Sequence, residues 1–207
     1  MPARRKTPIA AIVIVALLVV AAAVFVISSL DRPQLPMRAP DPVRPLTLGD
    51  SLVGPIVTTV DASSERAWTH FDFSRASVVD RDDPLGWDLA FRRHRIVANG
   101  GPGFAGEGGI VDLGEVPFGA ASELPAEGYV ANRVGGDTLN PAIEKWYDYG
   151  FTSHLLTPKP RTYAVRTADG RYAKLAIVSY YCPGARPGCF TFRWVWQGDG
   201  TRWVGAG

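Results

Sequence analysis

The first patterned stretch of the chain is an unbroken apolar run at residues 9–30, IAAIVIVALLVVAAAVFVISSL, which contains no charged residue. A helix rises ~1.5 Å per residue and needs ~20 apolar residues to cross the hydrocarbon core of a bilayer. A cleaved signal peptide has a shorter apolar region, of about 7–15 residues. Ala21 and Ala23 offer a small-residue cleavage site, but Val24 to Ile27 continue the run beyond it. The pattern therefore favours an uncleaved transmembrane anchor.

Charge beside this run predicts its orientation. Arg4, Arg5 and Lys6 lie on its amino side. By the positive-inside rule, residues 1–8 form a basic cytoplasmic tail and everything after the run is exported. We therefore expect a single-pass membrane protein whose C-terminal domain is extracytoplasmic, either periplasmic or on the cell surface.

Prolines dominate the segment that follows, residues 31–50. Proline lacks an amide donor and keeps the chain near polyproline geometry. The segment is therefore expected to be a stiff tether that holds the domain away from the bilayer. Its prolines are Pro33, Pro36, Pro40, Pro42 and Pro45.

From about Ser51 to the end, short runs alternate apolar and polar residues between turn residues, which is typical of half-buried antiparallel strands. The clearest hairpin reads TYAVRT-ADG-RYAKLAIVSYY, with the turn at Asp169 and Gly170. The pattern predicts an all-β fold, with one antiparallel domain over residues 51–207 behind one transmembrane helix. The only good helix start, Asn140-Pro141, predicts a short helix.

Alternation also assigns side chains to strand faces. Trp87, Leu89 and Phe91 are expected to share one face. His70 is expected to face solvent, because it alternates with Phe71 and lies on the opposite side of its strand. Aromatic residues at every second position predict a further apolar face, formed by Phe190, Phe192, Trp194 and Trp196.

Charge and motifs exclude several functions. The chain carries 22 basic and 20 acidic residues, a net charge of +2, so no basic surface for nucleic acid is expected. It has neither a GxSxG nor an HExxH motif, and enzyme activity is not predicted. GPGFAG at 101–106 matches GxGxxG, but no helix pattern follows to hold a phosphate. We interpret it as a glycine loop.

Two cysteines, Cys182 and Cys189, flank a segment rich in glycine and proline where a hairpin loop is expected. In an exported domain such a pair is most simply a disulfide that closes the loop. A metal site is the alternative, but it would need further ligands and no histidine is adjacent.

Three stretches resemble the HmuY haem-binding family: WDLAFRRHRIVANGG at 87–101, WYDY at 146–149 and YAVRTADGRYAKLAIVSYY at 163–181. The resemblance implies an all-β envelope protein that binds haem between two histidines. One of these precedes the last motif, and His154 lies in the corresponding stretch.

The resemblance places the second histidine between the NGG loop and the WY motif. Residues 100–145 contain no histidine and no methionine. His94 and Tyr129 are the candidates for this second position. Further residues are available for an apolar slot and its basic mouth: Phe104, Tyr129, Trp146, Tyr147, Arg133 and Lys159.

The resemblance leaves two functions open. In the first, the chain is a membrane-tethered binder of haem or another tetrapyrrole, and it receives haem from, or passes it to, another envelope protein. In the second, it is an envelope interaction module that kept the β scaffold and lost haem binding. The bilayer, contacted through residues 9–30, is a partner in both.

Overall fold

A computed structural model describes residues 9–30, 35–135 and 137–205. The predicted cytoplasmic tail, 1–8, and the first part of the predicted tether, 31–34, lie outside the described residues. One helix and eleven strands occur in the described ranges. Their bounds are α1 Ile9–Leu30, β1 Leu52–Asp61, β2 Thr69–Asp72, β3 Ser77–Val79, β4 Leu89–Arg92, β5 Arg95–Ala98, β6 Gly109–Asp112, β7 Tyr147–Tyr149, β8 Leu156–Pro158, β9 Tyr163–Arg166, β10 Tyr172–Cys182 and β11 Arg186–Gln197.

The predicted anchor is a continuous helix, α1, of 22 residues, and none of its side chains is buried. Its length and composition suffice to cross a membrane. The chain divides into two compact units. The smaller contains this helix and the loop Tyr149–Leu155, and the larger contains the β domain, Leu35–Asp148 and Leu156–Gly207.

The β domain confirms the predicted all-β class. One sheet has five strands in the order β1-β11-β10-β9-β6, and another has four in the order β3-β2-β4-β5. Every strand pair of these two sheets is antiparallel. Aromatic side chains fill the space between the sheets: Phe91 of β4 stacks on Phe192 of β11 with ring centres 5.3 Å apart.

The predicted hairpin is formed by β9 and β10, with Tyr172 opposite Arg166. Gly170 in its turn has φ +84°, a conformation that glycine adopts without strain. At the far end of β10, Cys182 and Cys189 form the predicted disulfide across the β10–β11 hairpin.

The predicted helix after Asn140 is only a single turn. Asn140 caps it as expected, because its Oδ1 accepts the N–H of Ala142 at 3.1 Å and its backbone oxygen accepts that of Glu144 at 3.0 Å. The turn then ends at Trp146, whose side chain is buried among aromatic residues before β7 begins. Burial of this side chain outweighs further helix growth.

The predicted tether does not stand free of the domain, so that expectation is wrong from Leu35 onward. Asp41 exchanges two hydrogen bonds with Thr59 of β1, each of 2.8 Å. Further along, the Leu46 N–H donates to the Arg75 oxygen at 2.9 Å. The physical reason is that β1 is an edge strand, whose free backbone groups can bind a neighbouring segment.

A buried carboxyl group, that of Asp88, joins the two sheets. Its Oδ2 accepts the N–H of Phe73, just after β2, and its Oδ1 accepts that of Ala168, in the β9–β10 turn, both at 2.9 Å. Its side chain is only 5% exposed. Burial, and then the negative charge of Asp72, raise the pKa of Asp88 to about 8.

This shift predicts that stability falls as pH rises from about 4 to about 8. Over that range the unfolded chain has lost the Asp88 proton while the folded chain retains it, so folding takes up a proton. The slope from one such group is at most roughly 1.4 kcal/mol per pH unit. Urea unfolding at several pH values should therefore show a smaller slope for Asp88→Asn than for the wild type.

Asp80→Asn is the control, because Asp80 is exposed. It should leave the slope unchanged. An unchanged slope in Asp88→Asn would contradict the assignment.

Candidate functional site

His154 lies in the tight loop between β7 and β8. Gly150 donates its N–H to the Leu155 oxygen at 2.8 Å, and its own oxygen accepts the His154 N–H at 2.7 Å. His154 has φ +55°, in the left-handed region that non-glycine residues rarely occupy. These hydrogen bonds and this backbone conformation fix the direction in which the His154 side chain extends from the loop.

One ring nitrogen of His154 is held in place and the other is accessible. Its Nδ1 is hydrogen-bonded to the Tyr149 hydroxyl at 2.5 Å. No hydrogen bond to Nε2 occurs within the described ranges. The His154 side chain is exposed, and Phe151, three residues earlier in the same loop, is 81% exposed. An imidazole oriented through one nitrogen, on a loop that also exposes an aromatic ring, is suited to coordinate a metal centre through the other nitrogen.

His94 lies in the turn between β4 and β5, in the larger unit. Its ring meets Tyr147 edge to face with centres 5.9 Å apart, and its backbone oxygen accepts the Trp146 Nε1–H at 2.8 Å. Partial burial, and then the charges of Arg95 and Arg93, lower the pKa of His94. The imidazole is therefore neutral near pH 7, which coordination requires.

Tyr129 packs as a structural residue. Its hydroxyl donates to the Pro125 oxygen at 3.0 Å, and its ring lies against a buried cluster that includes Phe118 and Leu124. Burial raises the pKa of the Tyr129 phenol, which disfavours the phenolate form that binds iron. No contact among the described residues brings Tyr129 to His94.

Some of the other residues considered for a haem slot lie together: the ring centres of Trp146 and Tyr147 are 4.9 Å apart, and the Lys159 N–H donates to the Trp146 oxygen at 2.9 Å. Trp146 is a core residue, 1% exposed, and so is not available to line an open slot. Lys159 forms a salt bridge with Asp148 at 3.6 Å. Phe104 lines a different feature, a cleft on the four-stranded sheet.

This cleft has a volume of about 200 Å³ and an aromatic lining. Its floor is Trp87, Ala90 and Val97, which belong to one buried cluster. The predicted shared face of Trp87, Leu89 and Phe91 is therefore wrong for Trp87, which lies on the side of Ala90. The physical reason is that β4 begins at Leu89, so strand alternation does not extend to Trp87.

His70 lines the same cleft, so the expectation that it faces solvent is wrong. Its ring contacts Trp87 with centres 4.7 Å apart. Burial, and then the charge of Arg81, lower the pKa of His70. The sequence did not predict this position of His70 because the cleft forms only when Trp87 lies on the face opposite to the one expected. Trp68, two residues before His70 on the same strand face, was the sequence feature that could have indicated an apolar surface there.

The described residues form an antiparallel β domain preceded by one apolar helix. Residues 64–194 match the family described as HmuY protein. Because the match covers more than half of the chain, the chain belongs to the HmuY family. No functionally curated protein matches the chain in sequence.

Solved structures share this fold. The apo HmuY analog TFO of Tannerella forsythia is 17% identical with a TM-score of 0.58, and the match covers 76% of this chain and 99% of that one. A Bacteroides vulgatus protein assigned as HmuY-like and heme-binding is 18% identical with a TM-score of 0.55, over 74% and 97% of the two chains. At this identity the likeness establishes the fold alone.

The cleft geometry predicts how His70 titrates. Its pKa should lie below the ordinary 6.5, and Arg81→Gln should raise it by removing a positive charge, while burial still holds it below that value. A pH series of histidine Cε1–Hε1 NMR signals measures this, with the His70 signal assigned from its loss in His70→Gln.

Arg66→Gln, an exposed arginine outside the cleft lining, is the control and should not move the His70 pKa. An equal response to Arg81→Gln and Arg66→Gln would contradict the prediction.

Proposed function

We propose that the chain is a membrane-tethered, extracytoplasmic haem-binding protein of the HmuY type, which receives or relays haem at the cell envelope. The observation that carries the proposal is His154, an exposed imidazole with one nitrogen held by Tyr149 and the other accessible. Family membership supports haem as the ligand, as does the heme-binding assignment of the Bacteroides vulgatus neighbour.

The donor chemistry of the loop fits haem. When bound, haem would supply an iron that an imidazole nitrogen can ligate and a flat apolar macrocycle. In the tautomer whose Nδ1–H donates to the Tyr149 hydroxyl, the lone pair of His154 Nε2 is free to coordinate. Phe151 offers its exposed ring to an apolar ligand. Tyr149 acts as a positioning residue, because a partner on the far ring nitrogen fixes both tautomer and ring orientation.

An alternative function keeps the fold without haem, as an envelope interaction module. The observation in its favour is that residues 100–145 contain no histidine or methionine, where the family resemblance places a second ligand. His94 is the second-ligand candidate that the geometry favours over Tyr129, because its imidazole is exposed and its pKa is lowered.

Topology is part of the proposal. The helix α1 is the anchor, with residues 1–8 in the cytoplasm and the β domain exported, as the basic residues before the apolar run favour. A disulfide within the domain suits an oxidising compartment outside the cytoplasm.

Haem binding is tested by titrating haemin into the full chain in detergent micelles and following the Soret band. The wild type should show a saturable band shift and His154→Ala should lose it. Tyr149→Phe should weaken binding by roughly 10–100-fold, because the orienting hydrogen bond is lost.

Tyr163→Phe is the matched control, since it also removes a tyrosine hydroxyl, one that the described residues do not hydrogen-bond and that lies outside the residues considered for haem. It should bind as the wild type does. Absence of a saturable band in the wild type would favour the interaction module. If His154→Ala binds haemin as the wild type does, the assignment of His154 as the ligand is wrong. In that case loss of the band in His94→Ala would identify His94 as the ligand.

The topology is tested with single new cysteines and a membrane-impermeant maleimide on spheroplasts. The native cysteines form a disulfide and do not react. Glu127→Cys, at an exposed position of the β domain, should be labelled on intact spheroplasts, and Thr7→Cys only after lysis. The reverse pattern would overturn the orientation.

A further inference from the structure

We propose that the cleft bounded by Trp68, His70, Trp87 and Phe104, which no residue of the His154 loop lines, is a second binding site, for a small flat aromatic carboxylate. The cleft is contained in the larger unit of the structure. The inference goes beyond the proposed haem function and does not depend on it.

The shape of the cleft selects a small flat ligand. Ligand pockets for drug-sized molecules span about 300–1,000 Å³, and a cavity of about 150 Å³ admits benzene. A volume of about 200 Å³ therefore suits one or two fused rings and is too small to enclose a haem. Trp87 at the floor is 4% exposed and contacts Phe104 edge to face at 6.0 Å, so the lining offers aromatic surface to a ring.

The polar groups of the cleft select an anion. Arg81 and His70 both line it, and neither side chain has a hydrogen bond or an ion pair among the described residues. A second guanidinium, that of Arg92, lies 4.4 Å from the centre of the Trp68 ring. No described aspartate or glutamate lines the cleft.

The acidic residues next to Arg81 in sequence line a separate groove. Asp80, Asp82 and Asp83 do so together with Val78 and Gly86. The cleft therefore combines an apolar floor with unpaired cationic and imidazole groups, the arrangement that orients a ring bearing a carboxylate. The carboxylate would bind the Arg81 guanidinium, with the His70 ring as a second donor.

The test uses indole-3-acetate as the probe and its neutral analogue indole-3-acetamide as the matched ligand. Both are titrated by calorimetry into the full chain in detergent micelles, with the His70 Cε1–Hε1 NMR signal as the local readout. The acid should bind saturably and shift the His70 signal. The amide, and the acid with Arg81→Gln, should bind at least about tenfold more weakly, because a charge-assisted hydrogen bond is lost.

Arg66→Gln is the control variant and should bind the acid as the wild type does. Absence of saturable binding, an unmoved His70 signal, or equal affinity in Arg81→Gln and Arg66→Gln would each overturn the proposal. Equal affinity for the acid and the amide would overturn the assignment of an anionic ligand.

A haemin arm separates the two sites. Protein saturated with haemin should still bind indole-3-acetate with unchanged affinity. Displacement of the acid by haemin would place the cleft within the haem site and overturn a separate function. If the protein binds no haemin, the acid should still bind, so failure of the haem proposal is distinguishable from failure of this one.

Discussion

The structure depends most on one buried carboxyl group, that of Asp88. Its two oxygens accept the backbone N–H groups of Phe73, which follows β2 of one sheet, and of Ala168, in the turn between β9 and β10 of the other. Its backbone also bonds to Phe71 and Asn99. Removing such an acceptor would leave two buried N–H groups unsatisfied, at a cost of about 1–3 kcal/mol each. The packing of the two sheets therefore depends on hydrogen bonds between the Asp88 carboxyl group and two backbone N–H groups in an otherwise apolar interior.

The same residue explains why the cleft exists. Because Asp88 points to the sheet interface just before β4, the strand alternation begins only at Leu89. Trp87 is thereby placed with Ala90 and Val97, where its ring becomes a floor. The N–H of Ala168, 80 residues away in sequence, holds the Asp88 side chain. A local alternation pattern does not contain this information, so the predicted face of the preceding residue, Trp87, was wrong.

Elements with a local cause were predictable. The turn at Asp169 and Gly170 and the alternation around it define the β9–β10 hairpin, and the apolar run defines α1. Contacts between residues distant in sequence were not predictable. The N–H of Thr59, on edge strand β1, donates to the Asp41 side chain, so part of the expected tether lies on the domain. His154 could be selected only through the family resemblance, since its sequence neighbours do not show that Tyr149 would hold its ring.

Under the proposed function, the two candidate sites differ in how they hold a ligand. The His154 ring is held at one nitrogen and otherwise stands in an exposed loop, whereas the cleft has a buried aromatic floor joined to the domain core. A ligand held by one imidazole on an exposed loop would remain accessible to a second protein, whereas a ligand in the cleft would have to leave a buried aromatic floor. The proposed relay of haem therefore suits the loop better than the cleft.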